Sequence, residues 1–445
     1  VRLIGPQLQI CLLSDIEHLT SVAMRMLLAF AALTRSWLAE SMQLPQAIQG
    51  PSLLQRLGSA GCDATGENDR DFDLIVYGAT GFTGELAAQY LSTGLPGAPR
   101  WAIAGRNKAD LANLSSTLSA GGSAPGPSTF VADLQDLQSL QAMTQRTKVV
   151  LTYAGPYEKY GGENLIKAAL STCTHYVDIT GETPWKAEML QRYGDEAEAR
   201  GLAIVQSAGL DSLPADLVSM LAADEVAGDG QGSPTEVAVL WSKVNGWKSG
   251  GTVASGEYSA LHHLPAGPYS VAPGATQVSA DAATALFEEA HFPYPMSAVD
   301  IPVIHRSMSL RFPGQGISIA EDAGPSVAEN MQAFMSDPRM LTDPPPVSPK
   351  PGEGPPAWML KTGSFAAEAR ARRAADGHMA AVRLDGAGDP GYQACAQMSV
   401  ELALGLARMG PAAPGFSTPS LALGAAQLRD ILEAANGGHL MNFTV

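Results

Sequence analysis

The segment that most constrains the fold is Leu74-Ile75-Val76-Tyr77, followed at once by Gly78-Ala79-Thr80-Gly81-Phe82-Thr83-Gly84 and a helical run from Glu85. Four consecutive apolar residues need cover on both faces, as a central strand of a parallel sheet has. In the GxxGxxG turn that follows, each glycine has a physical purpose. Gly78 allows the tight turn, Gly81 lets the backbone approach a pyrophosphate, and Gly84 lets helix and strand pack closely. The free N–H groups and positive dipole end of the helix then face the phosphates. A strand before and a helix after supply the context that makes the glycine pattern specific. Gly78, Thr80, Gly81, Phe82, Thr83 and Gly84 are therefore the expected phosphate-binding residues.

Short apolar runs and helical patterns alternate from Phe72 onward. Strands are expected at Phe72–Tyr77, Trp101–Ala104, Thr129–Ala132, Val149–Tyr153, Tyr176–Ile179 and Ala203–Gln206. Helical spacing recurs between them, at Glu85–Leu91, Lys108–Leu118, Leu134–Met143, Glu163–Leu170 and Lys186–Arg200. The expected class is α/β, a Rossmann-type doubly wound parallel sheet over 72–227. The breaker cluster Gly228 to Pro234 opens a second, mixed α+β domain over 228–387. That domain is expected to hold a strand at Glu236–Trp241, a helix at Gly250–His262, and a proline-rich loop or mobile flap over 337–356. Trp358–Phe365 and Ala380–Leu384 are expected to pair as a hairpin around Arg370, Arg372 and Arg373. Residues 388–445 are read as a helical segment that returns to the first domain. Residues 1–71 are read as an extension and linker. Its stretch Met26–Leu33 lies in a segment free of acidic residues and is a candidate targeting segment.

Composition removes several classes. Lys and Arg total 28 against 44 Asp and Glu, a net charge of −16, which repels a nucleic-acid backbone. Cys11, Cys62, Cys173 and Cys395 are scattered with no CxxC pair and no metal spacing, so neither a disulfide framework nor a zinc site is indicated, and a reducing intracellular compartment suits such usage. Met26–Leu33 is far short of the roughly 20 apolar residues a membrane span needs.

The second strand chooses the cofactor. An acidic residue after it would hold a ribose hydroxyl, as in NAD sites. Gly105-Arg106-Asn107-Lys108 stands there instead, and the Arg106 guanidinium can fork onto a 2′-phosphate, with Asn107 beside it. NADP is the expected cofactor. Asp133, after the third strand, can reach an adenine amino group or cap the next helix. Ala154-Gly155-Pro156, after the fourth, is small enough to lie against the nicotinamide ribose. Tyr157, Lys159 and Tyr160 follow, and a tyrosine beside a lysine can donate the proton that completes a hydride transfer. Asp178 and Glu182 follow the fifth strand, and Asp211 and Ser212 the sixth. Gly251 and Thr252 open a helix. These six residues are the expected substrate contacts, although for Asp178 and Glu182 bonding to loop N–H groups is the favoured reading.

Six motifs occur in order: Gly78–Gly84, Trp101–Arg106, Ala154–Gly161, His175–Glu182, Gly209–Asp216 and Gly388–Tyr392. Together they resemble the saccharopine dehydrogenase-like oxidoreductases, which include trans-acting enoyl reductases of lipid biosynthesis. One departure is Ala208, where the family carries a cysteine. The resemblance implies an NADP-dependent oxidoreductase that reduces a polarised, enoyl-type double bond in a lipid or glycolipid pathway. It also implies association with membranes, lipid droplets, mitochondria or plastids, and assembly with a second copy is an expectation of the same kind. Two rival expectations are a non-catalytic nucleotide-binding protein at a lipid surface and an imine-reducing, saccharopine-type dehydrogenase.

Overall fold

The computed structural model describes residue 62 and residues 70–120, 126–228, 230–261, 285–288 and 290–445. The candidate targeting segment, and His262–His263 at the expected helix end, lie outside them.

The chain opens with β1 (Phe72–Tyr77), α1 (Phe82–Leu91), β2 (Trp101–Gly105), α2 (Lys108–Ala120), β3 (Ser128–Val131), α3 (Leu137–Thr144) and β4 (Thr147–Thr152). A single helical turn, Tyr157–Tyr160, leads to α4 (Gly162–Ser171), β5 (His175–Asp178), α5 (Thr183–Ala199), β6 (Ala203–Val205) and α6 (Leu213–Ala227). Then come β7 (Glu236–Asn245), α7 (Gly250–Leu261), β8 (Phe292–Pro293), α8 (Ser297–Arg311), β9 (Ser318–Ala323) and α9 (Ser326–Met335). The chain ends with β10 (Ser364–Arg373), β11 (His378–Ala387), α10 (Cys395–Met409), β12 (Gly415–Ser417), α11 (Ala425–Gly438) and β13 (Met441–Thr444).

The first sheet runs β12-β6-β5-β4-β1-β2-β3, all parallel. Strand order reverses between β1 and β4, and that reversal opens the crevice where such sheets bind ligands. Leu74 and Val76 belong to one apolar layer and Ile75 to the other, each without solvent exposure. That is why the run is continuous rather than alternating. The second sheet runs β13-β11-β10-β7-β9-β8 and is mixed, with only β7 and β9 parallel among its pairs. Helix α6 is buried nearly all round and packs on β7, β10 and β11, so one apolar core continues from the first sheet to the second.

Four expectations are corrected. Trp358 does not begin a strand: Ala357–Thr362 is a helical turn, and β10 starts at Ser364. The basic residues stand within β10, not at the hairpin turn. Arg370 pairs with Glu368, Arg372 with Glu236 and Arg373 with Asp376, so each guanidinium is neutralised along the strand. The proline-rich segment is pinned rather than free, because the Trp247 indole donates to Pro346 O (2.9 Å) and the Trp358 indole to Asp343 O (2.8 Å). Residues 388–445 supply edge strands as well as helices: β12 to the first sheet and β13 to the second.

The cysteines also differ from expectation. Cys62 and Cys173 form a disulfide, with Cα atoms 5.6 Å apart across 111 residues. A pair so distant in sequence leaves no spacing signal, and only the fold brings it together. Nearby, the Arg70 guanidinium donates to Gln145 O and Thr172 O, both at 2.6 Å.

Candidate functional site

The glycine turn has the shape its sequence requires. Gly78 has φ +75, and a Cβ there would sit 3.0 Å from Ala154 N. A Cβ on Gly84 would collide with Gly78 O, so helix α1 lies against the turn with no room for a side chain. Gly81 is the N-cap of α1 and no side chain caps the helix. The first N–H groups of the helix are therefore left for an external acceptor, which fits a pyrophosphate. Thr80 is exposed beside them and Thr83 half-buried. The Phe82 ring meets Tyr392 edge-on, 5.4 Å between centroids, and packs on Gly354 of the proline-rich segment.

Arg106 is exposed and makes no hydrogen bond or ion pair among the described residues. An unengaged guanidinium after β2 fits a 2′-phosphate. Asn107 caps α2, its Oδ1 accepting from Ala109 N at 2.9 Å, which accounts for it without a ligand. Asp133 Oδ1 accepts from Gln135 N at 2.9 Å. Asp133 and Arg106 both act electrostatically on the Tyr77 hydroxyl, so the ends of β1, β2 and β3 converge. Ala154 lies against Gly78, and the Gly155–Pro156 peptide is cis. These residues form a continuous wall along the carboxyl edge of β1 to β4.

The two tyrosines expected as donors lie in different surroundings. Tyr157 is buried, its hydroxyl donates to Thr152 O (3.0 Å) and accepts from Ile179 N (3.4 Å), and its ring stacks on Trp185. Burial, then nearby Asp178, push its phenol well above the ordinary value. Its hydroxyl is thus held inside the core in the manner of a strut. Tyr160 is 42% exposed, and the Lys159 ammonium lies 5.6 Å from the centroid of its ring without bonding the phenol. Tyr153, absent from the sequence expectations, points its hydroxyl to Ser399 Oγ at 2.6 Å.

Beyond β5 and β6 the structure gathers ionisable groups that sequence alone did not join. Asp178 is fully buried and accepts from the Tyr176 hydroxyl (2.8 Å), Thr180 N (3.0 Å) and Ser207 N (3.1 Å). Burial pushes its carboxyl up to about 6, against those bonds and Lys186. Glu182 accepts from Tyr157 N (2.8 Å) and Glu158 N (2.9 Å), and so caps the turn Tyr157–Tyr160. Both carboxylates bond backbone N–H groups, the reading favoured for them. Lys186 has no solvent exposure and donates to Ser207 Oγ at 2.9 Å. Burial lowers it to about 8, while Asp178, Asp300 and Asp211 hold it up. Ser212 has φ +115 and donates its hydroxyl to Asp300 Oδ1 at 2.9 Å. Asp300 and Glu321 are both buried, each acting on the other's carboxyl, and the Trp241 indole donates to Glu321 Oε1 at 2.8 Å. Nothing in the spacing of Lys186, Asp300 and Glu321 announces this cluster, since they come from α5, α8 and β9.

At the start of α7, where Gly251 and Thr252 were expected to hold substrate, several donors are engaged within the protein. The Tyr392 hydroxyl takes Ser249 N and bonds Thr252 Oγ1, both at 2.6 Å, and Gly250 N donates to Glu353 O at 2.9 Å. Those donors are already satisfied within the protein. Asp389 caps the turn bearing Tyr392, accepting from Tyr392 N (2.9 Å) and Trp247 N (3.2 Å).

Residues 74–205 match the family model of the saccharopine dehydrogenase NADP binding domain. A putative trans-acting enoyl reductase of Mycobacterium tuberculosis is 37% identical over 186 residues, 42% of this chain and 43% of that protein. The trans-acting enoyl reductase of Mycobacterium leprae is 38% identical over 187 residues, 42% of this chain and 44% of its own. A lipid droplet localized protein of Caenorhabditis elegans is 38% identical over 150 residues, 33% of this chain and 35% of its own. The matches span less than half the length of each relative.

Proposed function

We propose that this chain, whose residues 74–205 are an NADP-binding domain of the saccharopine dehydrogenase type, is an NADP-dependent oxidoreductase that reduces a polarised double bond in a lipid-linked acyl substrate. The observation that carries the proposal is the uncapped glycine turn facing an unengaged Arg106, the pair of features a 2′-phosphorylated dinucleotide needs. The enoyl class is supported by similarity to mycobacterial proteins named trans-acting enoyl reductases. A lipid surface as the place of action is supported by similarity to the worm protein localized to lipid droplets. Among the described residues no helix is long and apolar enough to cross a membrane.

The imine-reducing alternative needs free cations for a dicarboxylate. Arg306 is buried and bonds Phe416 O through Nε (3.1 Å) and a terminal nitrogen (2.6 Å), and Arg311 pairs with Asp224 at 2.8 Å. Both are occupied by the protein itself, which favours the acyl substrate. The experiment is to follow NADPH oxidation by absorbance with a trans-2-hexadecenoyl thioester and with an amino-acid-derived imine. Turnover of the thioester alone supports the proposal. Turnover of the imine alone replaces it with the saccharopine-type reaction. NADPH binding with neither turnover favours a nucleotide-binding protein without catalysis.

A further inference from the structure

Around the carboxyl ends of β5 and β6 the buried carboxyls are held by hydrogen bonds, with one exception. Asp178 and Glu182 bond backbone N–H groups, Asp216 accepts from Ser420 N (2.9 Å) and Ser307, Asp300 accepts from Ser212, and Glu321 from the Trp241 indole. Asp211, only partly exposed, makes no hydrogen bond or salt bridge among the described residues. We propose that Asp211 is the proton donor of the reduction and that Lys186, buried behind it, is its positioning residue. This rests on the reductase function proposed above.

The backbone presents Asp211 deliberately. Ser212 N donates to Leu210 O at 2.7 Å, which makes Asp211 the central residue of a three-residue turn. The next residue is held at φ +115, a conformation unusual for a non-glycine. What holds it is the bond from Ser212 Oγ to Asp300. Asp300 Oδ2 and Glu321 Oε2 have no other partner, and one proton shared between the two carboxyls satisfies both atoms. The anchor of the turn is therefore itself a buried, proton-sharing pair.

The turn is linked to the cofactor wall through α10. Leu210 N bonds the Cys395 thiol at the start of α10, which lies against Gly209. One turn along the same helix, Ser399 receives Tyr153, whose neighbour Ala154 packs on Gly78. The groups acting on Asp211 or its anchor are Lys186 of α5, Cys395 of α10, Asp300 of α8, Glu321 of β9 and Tyr294. Burial pushes the Asp211 carboxyl up to about 6 and Lys186 opposes the rise, which leaves a protonated fraction near neutrality, as a general acid needs.

When bound, NADPH supplies a hydride to the β-carbon of the enoyl group. Asp211 then gives its carboxyl proton to the α-carbon, where the electron pair of the double bond has collected as an enolate. The carboxylate left behind takes a proton from water, so one NADPH and one proton are consumed per bond reduced.

The test compares wild type, Asp211→Asn, Lys186→Met and Lys186→Arg, using trans-2-hexadecenoyl-CoA as probe and NADPH binding as a separate readout. Asp211→Asn is expected to lower kcat by about 10²–10⁴-fold while the NADPH Kd stays unchanged. Lys186→Met is expected to move the basic limb of the pH–rate profile to higher pH, because the ammonium no longer favours the Asp211 carboxylate, and Lys186→Arg to restore it. In cofactor-free protein, a carboxyl NMR titration is expected to show the same upward movement of Asp211 in Lys186→Met, independent of turnover. An Asp211→Asn protein with wild-type kcat overturns the donor. An unmoved Asp211 titration in Lys186→Met, or in a Lys186→Gln variant should the first not fold, overturns the positioning residue. A wild type that binds NADPH yet reduces no thioester overturns the proposed reduction itself, a different failure from either.

Discussion

Tyr157 shows how a residue's chemistry is decided by its surroundings rather than by its type. Both hydrogen-bonding capacities of its hydroxyl are used on backbone groups inside the core, so replacing it with phenylalanine removes a strut and no reagent. Tyr157→Phe is expected to cost about 1–2 kcal/mol of stability, read by urea unfolding, with turnover changed only a few-fold. A large loss of kcat with normal stability would restore the tyrosine as donor. The buried carboxyls set the pH dependence. Burial raises Glu321 from 4.5 to about 7 and raises Asp300 in the same direction, so the folded state holds a proton that the unfolded state has released. Stability from this pair is full below about pH 4 and is lost as pH rises through about 7. Asp300→Asn is expected to flatten that slope, measured as Tm against pH; a slope equal to that of wild type would mean the proton is not shared there.

At the scale of elements, the strands of the first sheet were legible because both their faces are buried and their apolar runs are short and bounded by turns. Leu74 to Val76 could be placed from sequence because the run leads directly into the glycine turn and a helix, the context that marks a strand. Trp358 to Leu360 could not, because a short buried apolar stretch reads the same as a helical turn or a strand. Between loop and mobile flap for the proline-rich segment the sequence could not choose, because what anchors it are two indole N–H groups, from Trp247 and Trp358, whose acceptors are backbone carbonyls that no sequence pattern marks. Trp358→Phe keeps the ring and removes one of these donors. It is expected to cost about 1 kcal/mol and to make the bonds near Asp343 cut faster in limited proteolysis; unchanged cleavage would mean the indole is not what holds the segment. The glycine turn gives a sharper case. Gly84→Ala places a Cβ against Gly78 O, so α1 must move away from the turn. The expected result is a stability loss of about 1–3 kcal/mol together with weakened NADPH binding, seen by calorimetric titration.

For the whole molecule, the glycine turn, Arg106 and the strands β1 to β6 could be read from sequence because each is a local pattern, whereas their order in the sheet and β12 at its edge could not. The ionisable cluster could not, because Lys186, Asp211, Asp300 and Glu321 meet only when α5, the β6–α6 loop, α8 and β9 are packed together. The disulfide between Cys62 and Cys173 was invisible for the same reason. What unites the two sheets is a core that continues through α6, and a C-terminal segment that adds β12 to one sheet and β13 to the other. The site described above therefore has one wall built by local sequence and the other by tertiary packing. The central claim is that the local wall binds a 2′-phosphorylated nicotinamide dinucleotide, and the most direct measurement is a titration of NADPH and NADH against wild type and Arg106→Ala. The expected result is tighter binding of NADPH by wild type, a preference that disappears in Arg106→Ala while NADH binding is unchanged. Equal binding of both dinucleotides by wild type, or a preference that survives loss of the guanidinium, would contradict the account.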